Sequence, residues 1–124
     1  MVFMAPLLMF LAVIGVDYAR VFSRTLILES ASRNACWYAC QDQDHANNTT
    51  MIQSVAAKDL TDVDPAPTVA TQQFDRADGF RYVQVSVTMT FTTITNYPGV
   101  PSSSTLTRMT EMRICPTTPK PGTY

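Results

Sequence analysis

The residues best suited to chemistry are three thiols, one imidazole and a short acidic turn. Cys36 and Cys40 stand four positions apart, and Cys115 is the third cysteine of the chain. On a helix, that spacing holds β-carbons about 5–6 Å apart, beyond the roughly 3.5–4.5 Å that a disulfide tolerates. Any bridge therefore uses Cys115, with Cys36 or Cys40 as partner, and it requires an oxidising compartment. The competing reading is three free thiols packed as small hydrophobes in a reducing cytosol. Nothing in their spacing matches the paired ligands of a zinc site.

Asp42-x-Asp44 has the opening of a calcium loop. Ala46, Asn47 and Gln53 then stand where that loop needs a ligand, a glycine and a bidentate glutamate. His45, the single histidine, lies in the same polar turn, with no nucleophile tied to it by sequence, and reads as a solvated loop residue. A nucleophile, a base and an orienting group cannot be assembled from these parts, and the four glycines form no phosphate-binding loop. No catalytic, cofactor-binding or metal-ligating residues are expected. Nine basic and ten acidic residues give a net charge of −1 without a run of either sign. A nucleic-acid partner is not expected either, because the basic footprint is missing.

The elements that carry these residues begin with MVFMAPLLMFLAVIGV, sixteen residues without a charge. As a helix this run reaches about 24 Å, short of the roughly 30 Å of a bilayer core and longer than most signal-peptide cores. A removable signal would need a basic start and a small-x-small cleavage site, and neither is present. The reading is a retained anchor over residues 1–16, with Leu7, Leu8, Phe10, Leu11, Val13 and Ile14 facing lipid. Its shortness also reads as a chain that lacks its true beginning. Arg20, Arg24 and Arg33 follow the anchor and nothing basic precedes it. Taken literally, the positive-inside rule puts the rest of the chain in the cytoplasm, and a missing basic leader would remove that conflict.

From Asp17 to about residue 42 there is no proline or glycine, so the same helix is expected to continue out of the membrane. Plotted at helical spacing, Tyr18, Val21, Phe22, Thr25, Leu28, Ser32, Ala35, Cys36 and Ala39 gather on one side. The stripe is bulky near the membrane and small beyond it, which predicts close approach of a sheet around Ser32 to Ala39. Cys36 lies nearer the centre of the stripe than Cys40 and is slightly favoured as the partner of Cys115. Glu29 and Arg33 form an i, i+4 surface pair.

The rest, residues 43–115, reads as a short helix followed by an antiparallel sheet. Asn47, Asn48 and Thr49 are candidate N-caps for a helix through Met51, Ile52, Val55, Ala56 and Leu60. DVDPAP is a linker. Strands are expected over Thr68–Phe74, over Val83–Phe91 with strict apolar and polar alternation, and over Leu106–Cys115, where Arg108 interrupts the apolar face and suggests a bulge. Asp78-Gly79 and Tyr97-Pro98-Gly99 mark turns, the second opening a loop that runs on through VPSSS. Residues 116–124 are a proline-rich tail, expected to be flexible. The predicted class is α+β: one long helix packed on a three-stranded antiparallel meander, with a short second helix.

The helix resembles that of the TadE-like family of pseudopilins, minor pilin-like proteins of bacterial tight-adherence (Tad or Flp) systems. The likeness lies in MAPLLMFLAVIGV, then Asp17-Tyr18-Ala19-Arg20, then Ala31-Ser32-Arg33-Asn34-Ala35-Cys36-Trp37-Tyr38-Ala39, in register without a gap. Asp17, Arg20, Ala31, Arg33 and Tyr38 are the positions that match the family motif. YVQVSVTMTFTT and YPGVPSSSTLTRMTEMR are similar to the family in order of features only. Members commonly carry a basic leader and a glutamate before the apolar run, whereas this chain opens at Met1, where the residue after that glutamate stands. Cys36, Trp37 and Cys40 also replace the usual residues. The resemblance implies a type IV pilin-like fold and a single-pass protein of the bacterial inner membrane, with its β domain on the periplasmic or extracellular side. It also implies partners: the lipid bilayer, other pilin-like subunits and the pilus assembly machinery. The alternative expectation is a membrane-tethered periplasmic binding or accessory protein outside any pilus.

Overall fold

The computed structural model describes residues 3–94 and 101–116. The fold is α+β: a long N-terminal helix, two short helices and a three-stranded antiparallel sheet. Helix α1 spans Met4–Ala39, 36 residues without a break. Pro6 falls in its first turn, where a missing backbone N–H breaks no helical hydrogen bond. After Gly15 nothing interrupts the helix until Cys40, whose N–H closes the last turn on the Cys36 carbonyl at 2.9 Å.

The helix α2, Gln43–Asn47, lies where a polar turn was expected. Asp42 caps it, accepting the His45 N–H at 2.7 Å, so the chain turns on a side-chain hydrogen bond rather than on glycine. Helix α3, Thr49–Asp59, starts at Asn48, whose side chain accepts the Met51 N–H at 3.2 Å. The short second helix read from the sequence is α3, and α2 is an additional one before it.

Strands β1 (Thr68–Asp75), β2 (Arg81–Thr92) and β3 (Ser103–Arg113) form a meander in the order β1-β2-β3. The β1–β2 connection turns at Gly79, whose φ of 78° suits a residue without a β-carbon. Its N–H donates to the Arg76 carbonyl at 3.0 Å. Strand β3 starts at Ser103, three residues before the expected Leu106, and pairs continuously with β2 from Thr92↔Ser103 to Tyr82↔Arg113. The expected bulge is absent from that ladder. Arg108 lies opposite Val87 in register and stays exposed at the sheet's edge, where a long side chain can carry its charge to water. The turn at Tyr97-Pro98-Gly99 and nearly all of the proline-rich tail lie outside the described residues.

Period-two alternation on β2 sends Val83, Val85, Val87, Met89 and Phe91 to one buried face. The cover is α1: Leu28, Ala31, Ser32, Ala35, Cys36 and Ala39 are all completely buried. Small side chains let the helix backbone approach the sheet, and two polar contacts mark how close it comes. Ser32 Oγ and Thr110 Oγ1 share a hydrogen bond of 2.8 Å, and Cys36 Sγ lies 3.5 Å from the Val83 and Thr110 carbonyl oxygens. Ile52 and Ala56 of α3, with Leu60 and Val63, close the core on the far side.

The expected helix stripe is buried from Leu28 onward, and nearer the start of α1 it is covered only in part, with Val21 and Thr25 half-buried. Tyr18 and Phe22 are 74% and 59% exposed, while Asp17 is buried. Periodicity locates an apolar face but does not say whether lipid or protein covers it.

The expected disulfide is corrected too. All three cysteines are free thiols. Cys36 points into the helix–sheet seam, whereas Cys115 is exposed two residues beyond β3. The end of β3 is delivered one turn past Cys36: the Cys115 N–H donates to the Cys40 carbonyl at 2.8 Å. A backbone hydrogen bond, not a covalent bridge, joins the two chain segments there.

Candidate functional site

The apolar run supplies the N-terminal third of α1, and its side chains stay largely exposed. Leu7, Leu8, Phe10, Leu11, Val13 and Ile14 range from 39% to 65% exposed. In water, leaving these six and Met9 this exposed would cost about 5–10 kcal/mol, at roughly 1.5–3 kcal/mol for each full side chain. A space-filling role against the domain is excluded for Gly15, which has nothing within 4 Å of where a β-carbon would stand. The helix is long and apolar enough to cross a membrane, and only 6% of its most apolar stretch is buried. A core helix of a water-soluble protein passes the same length test but is mostly buried.

Past Val16 the two sides of α1 diverge. One side continues apolar and exposed through Tyr18, Phe22 and Leu26. The other carries Asp17, Arg20 and Arg24 and meets the end of β2 and the linker after α3. Arg20 Nη1 lies 3.7 Å from Asp17 Oδ1, and the Arg20 guanidinium stands 5.4 Å from the centre of the Phe91 ring. Arg24 donates from Nη1 to the Asp62 carbonyl at 3.0 Å. Phe91 and Asp62 have no sequence signal as arginine partners; their distance along the chain hides the contact.

The family-motif positions do not form one cluster. Asp17 and Arg20 sit just past the apolar third of α1, and Ala31 is buried in the seam. Arg33 pairs with Glu29 at 2.7 Å on the exposed surface, as expected. Tyr38 packs edge-on against the His45 ring, with centroids 4.7 Å apart. His45 Nδ1 lies 2.7 Å from Asp42 Oδ1. The backbone N–H of His45, then its ring, hold the Asp42 carboxyl below its usual value. This dyad is a helix cap with an aromatic lid, and among the described residues no thiol or hydroxyl bonds to its ring. Nor do the described residues contain a group of three His, Cys, Asp or Glu placed to hold a metal ion.

Two further surface features were not legible beforehand. An open cleft of about 320 Å3 lies between α1 and α3, lined by Asn34, Trp37, Tyr38, Val55, Lys58 and Asp59. Its rim is braced by a 2.6 Å hydrogen bond from Asn34 Nδ2 to Asp59 Oδ2. At the far end of the sheet Arg76 reaches over the Tyr82 and Phe74 rings, at 4.8 and 5.8 Å, and pairs with Glu111. Tyr82 donates its hydroxyl to Asp78 at 2.8 Å. The Phe80 N–H and that hydroxyl lower the Asp78 carboxyl, and Asp78 in turn raises the Tyr82 phenol. These contacts satisfy one another and clamp the β1–β2 connection.

The arrangement separates an unburied apolar rod, a close-packed helix–sheet seam and a polar outer domain. The chain matches no protein-family model, no curated protein and no solved structure.

Proposed function

We propose that the chain is a membrane-anchored minor pilin or pseudopilin that takes part in assembling a tight-adherence pilus, and through it in surface adhesion. The observation that carries this reading is α1 itself. One unbroken helix of 36 residues offers bare apolar side chains at its start and forms the core strip of a three-stranded meander at its end. That division of labour, together with the motif resemblance along the same helix, supports a type IV pilin-like subunit. The apolar third holds the subunit in the bacterial inner membrane as a single pass. The β domain stands on the periplasmic or extracellular side and meets other pilin-like subunits and the assembly machinery. The role is structural, with no catalytic step.

Deleting the gene and restoring it tests the reading: piliation or surface attachment is lost and regained, and the tagged chain co-purifies with pilus components. A deletion strain that pilates and adheres normally overturns it. The second reading, a tethered periplasmic binding or accessory protein, is favoured by the Trp37 cleft, because a two-thirds exposed tryptophan beside an open cavity suits a ligand. It predicts a chain that stays in the membrane and never enters the pilus fraction.

A further inference from the structure

At the membrane-proximal end, α1, the linker and the end of β2 surround a polar mouth of about 30 Å3 lined by Arg20, Arg24 and Asp64, with Phe91 and Thr92 beside them. Arg20 and Arg24 are four residues apart, so their side chains leave one face of the helix. Both are already oriented, Arg20 by Phe91 and Asp17 and Arg24 by the Asp62 carbonyl. A guanidinium carries five N–H donors, so these contacts leave each arginine with donors to spare. Asp64 makes no hydrogen bond or ion pair among the described residues.

The level of this mouth is set by the helix. Arg20 and Arg24 stand about 6 and 12 Å beyond Val16 at 1.5 Å per residue. Over that rise Tyr18, Phe22 and Leu26 remain exposed on the opposite face of the helix, 74%, 59% and 51% respectively. Aromatic side chains just past an apolar span mark the headgroup layer. The mouth therefore faces phosphates and the groups attached to them.

We propose that this mouth seats the headgroup of a phospholipid whose phosphate is followed by a primary ammonium, the phosphate on Arg20 and Arg24 and the ammonium on Asp64. The inference rests on the membrane-anchor part of the reading above. Charge decides the class of lipid. Arg20 and Arg24 are balanced by Asp17 and Asp64, which matches a zwitterion better than an anionic headgroup, which would bring no cation to Asp64. A quaternary ammonium has no N–H to donate to that carboxylate. The cavity is too small to engulf a headgroup, so the lipid caps it from the bilayer side.

The test uses the full chain in nonionic detergent, titrated separately with phosphatidylethanolamine, phosphatidylcholine, phosphatidylglycerol and inorganic phosphate, with bound molecules counted by native mass spectrometry. Phosphatidylethanolamine is expected to bind about tenfold more tightly than the others, the worth of one charge-assisted hydrogen bond. Arg20→Gln lowers that affinity about tenfold. Asp64→Asn, which breaks no hydrogen bond or ion pair among the described residues, removes the preference over phosphatidylcholine. Equal binding of the three lipids, preference for phosphatidylglycerol, inorganic phosphate binding as well as the lipid, or a preference unchanged in Asp64→Asn each overturns the proposal. The anchor reading fails separately: it falls if the chain does not float with plain phosphatidylcholine vesicles, whereas loss of the headgroup site leaves that flotation intact.

Discussion

Cys36 offers a measurable consequence of the helix–sheet seam. Its side chain is fully buried, with Sγ 3.5 Å from two strand carbonyls, and burial pushes the thiol from 9.0 up to about 11. A charged thiolate has no place there. Above pH 9 the unfolded chain gives up this proton while the folded chain keeps it, so stability is fully present below that pH and declines as the pH rises towards about 11. Two pH units at 1.36 kcal/mol each make the loss about 3 kcal/mol. Replacing the residue, Cys36→Ala, costs about 1 kcal/mol of packing at neutral pH and abolishes the alkaline decline that belongs to this thiol. The two unfolding midpoints, followed in urea by circular dichroism under reducing conditions, should therefore converge and then cross on going from about pH 8 to pH 11. Tyr82 is present in both proteins, so its titration cancels from the difference. Midpoints that run parallel across this range would show that the thiol does not titrate from a buried site. A neutral-pH thiol assay adds a check: Cys115 should react first and Cys36 only on unfolding.

Other parts of the molecule yield simpler expectations. Leu11→Lys combined with Ile14→Lys places two charges in the apolar third at about 2.5–3.5 kcal/mol each, and the chain should leave the membrane fraction with its domain's circular dichroism unchanged. Ala35→Leu forces new volume into the fully buried seam and should lower domain stability by about 1–3 kcal/mol, read as a reduced urea midpoint. Asn48→Ala removes the cap that receives the Met51 N–H and should cost about 1 kcal/mol by the same assay. The Asp42, Asp75 and Asp78 carboxyls are all held below the usual 3.8, by the His45 N–H, the Arg81 side chain and the Phe80 N–H respectively. Their contribution is present above about pH 4 and disappears as the pH falls further, so Asp78→Asn should flatten the acid limb of the stability curve.

Local pattern was enough wherever one face of an element meets one kind of neighbour. The alternation from Val83 to Phe91 determines β2 and its buried face, and the absence of proline and glycine after Gly15 determines a rod that runs to Ala39. The small residues from Ala31 to Ala39 announce a closely packed seam. Helix α2 escaped notice because QDHAN is a single polar turn, too short for any periodicity, and it exists through the Asp42 cap. The start of β3 was hidden in a run of serines that become strand only because β2 extends far enough to pair with them.

What only tertiary structure decided is which distant groups meet. The sequence by itself determined the order of elements, the bare apolar start and the core side of the sheet, because each follows from spacing along a few turns or strands. It could not place Arg20 on Phe91, bring Cys115 to the Cys40 backbone rather than to Cys36, or turn Tyr18 and Phe22 away from the domain. Those outcomes depend on where β2 ends relative to α1 and on the register of β3. That register is set by packing the whole seam at once, not by any stretch of chain alone.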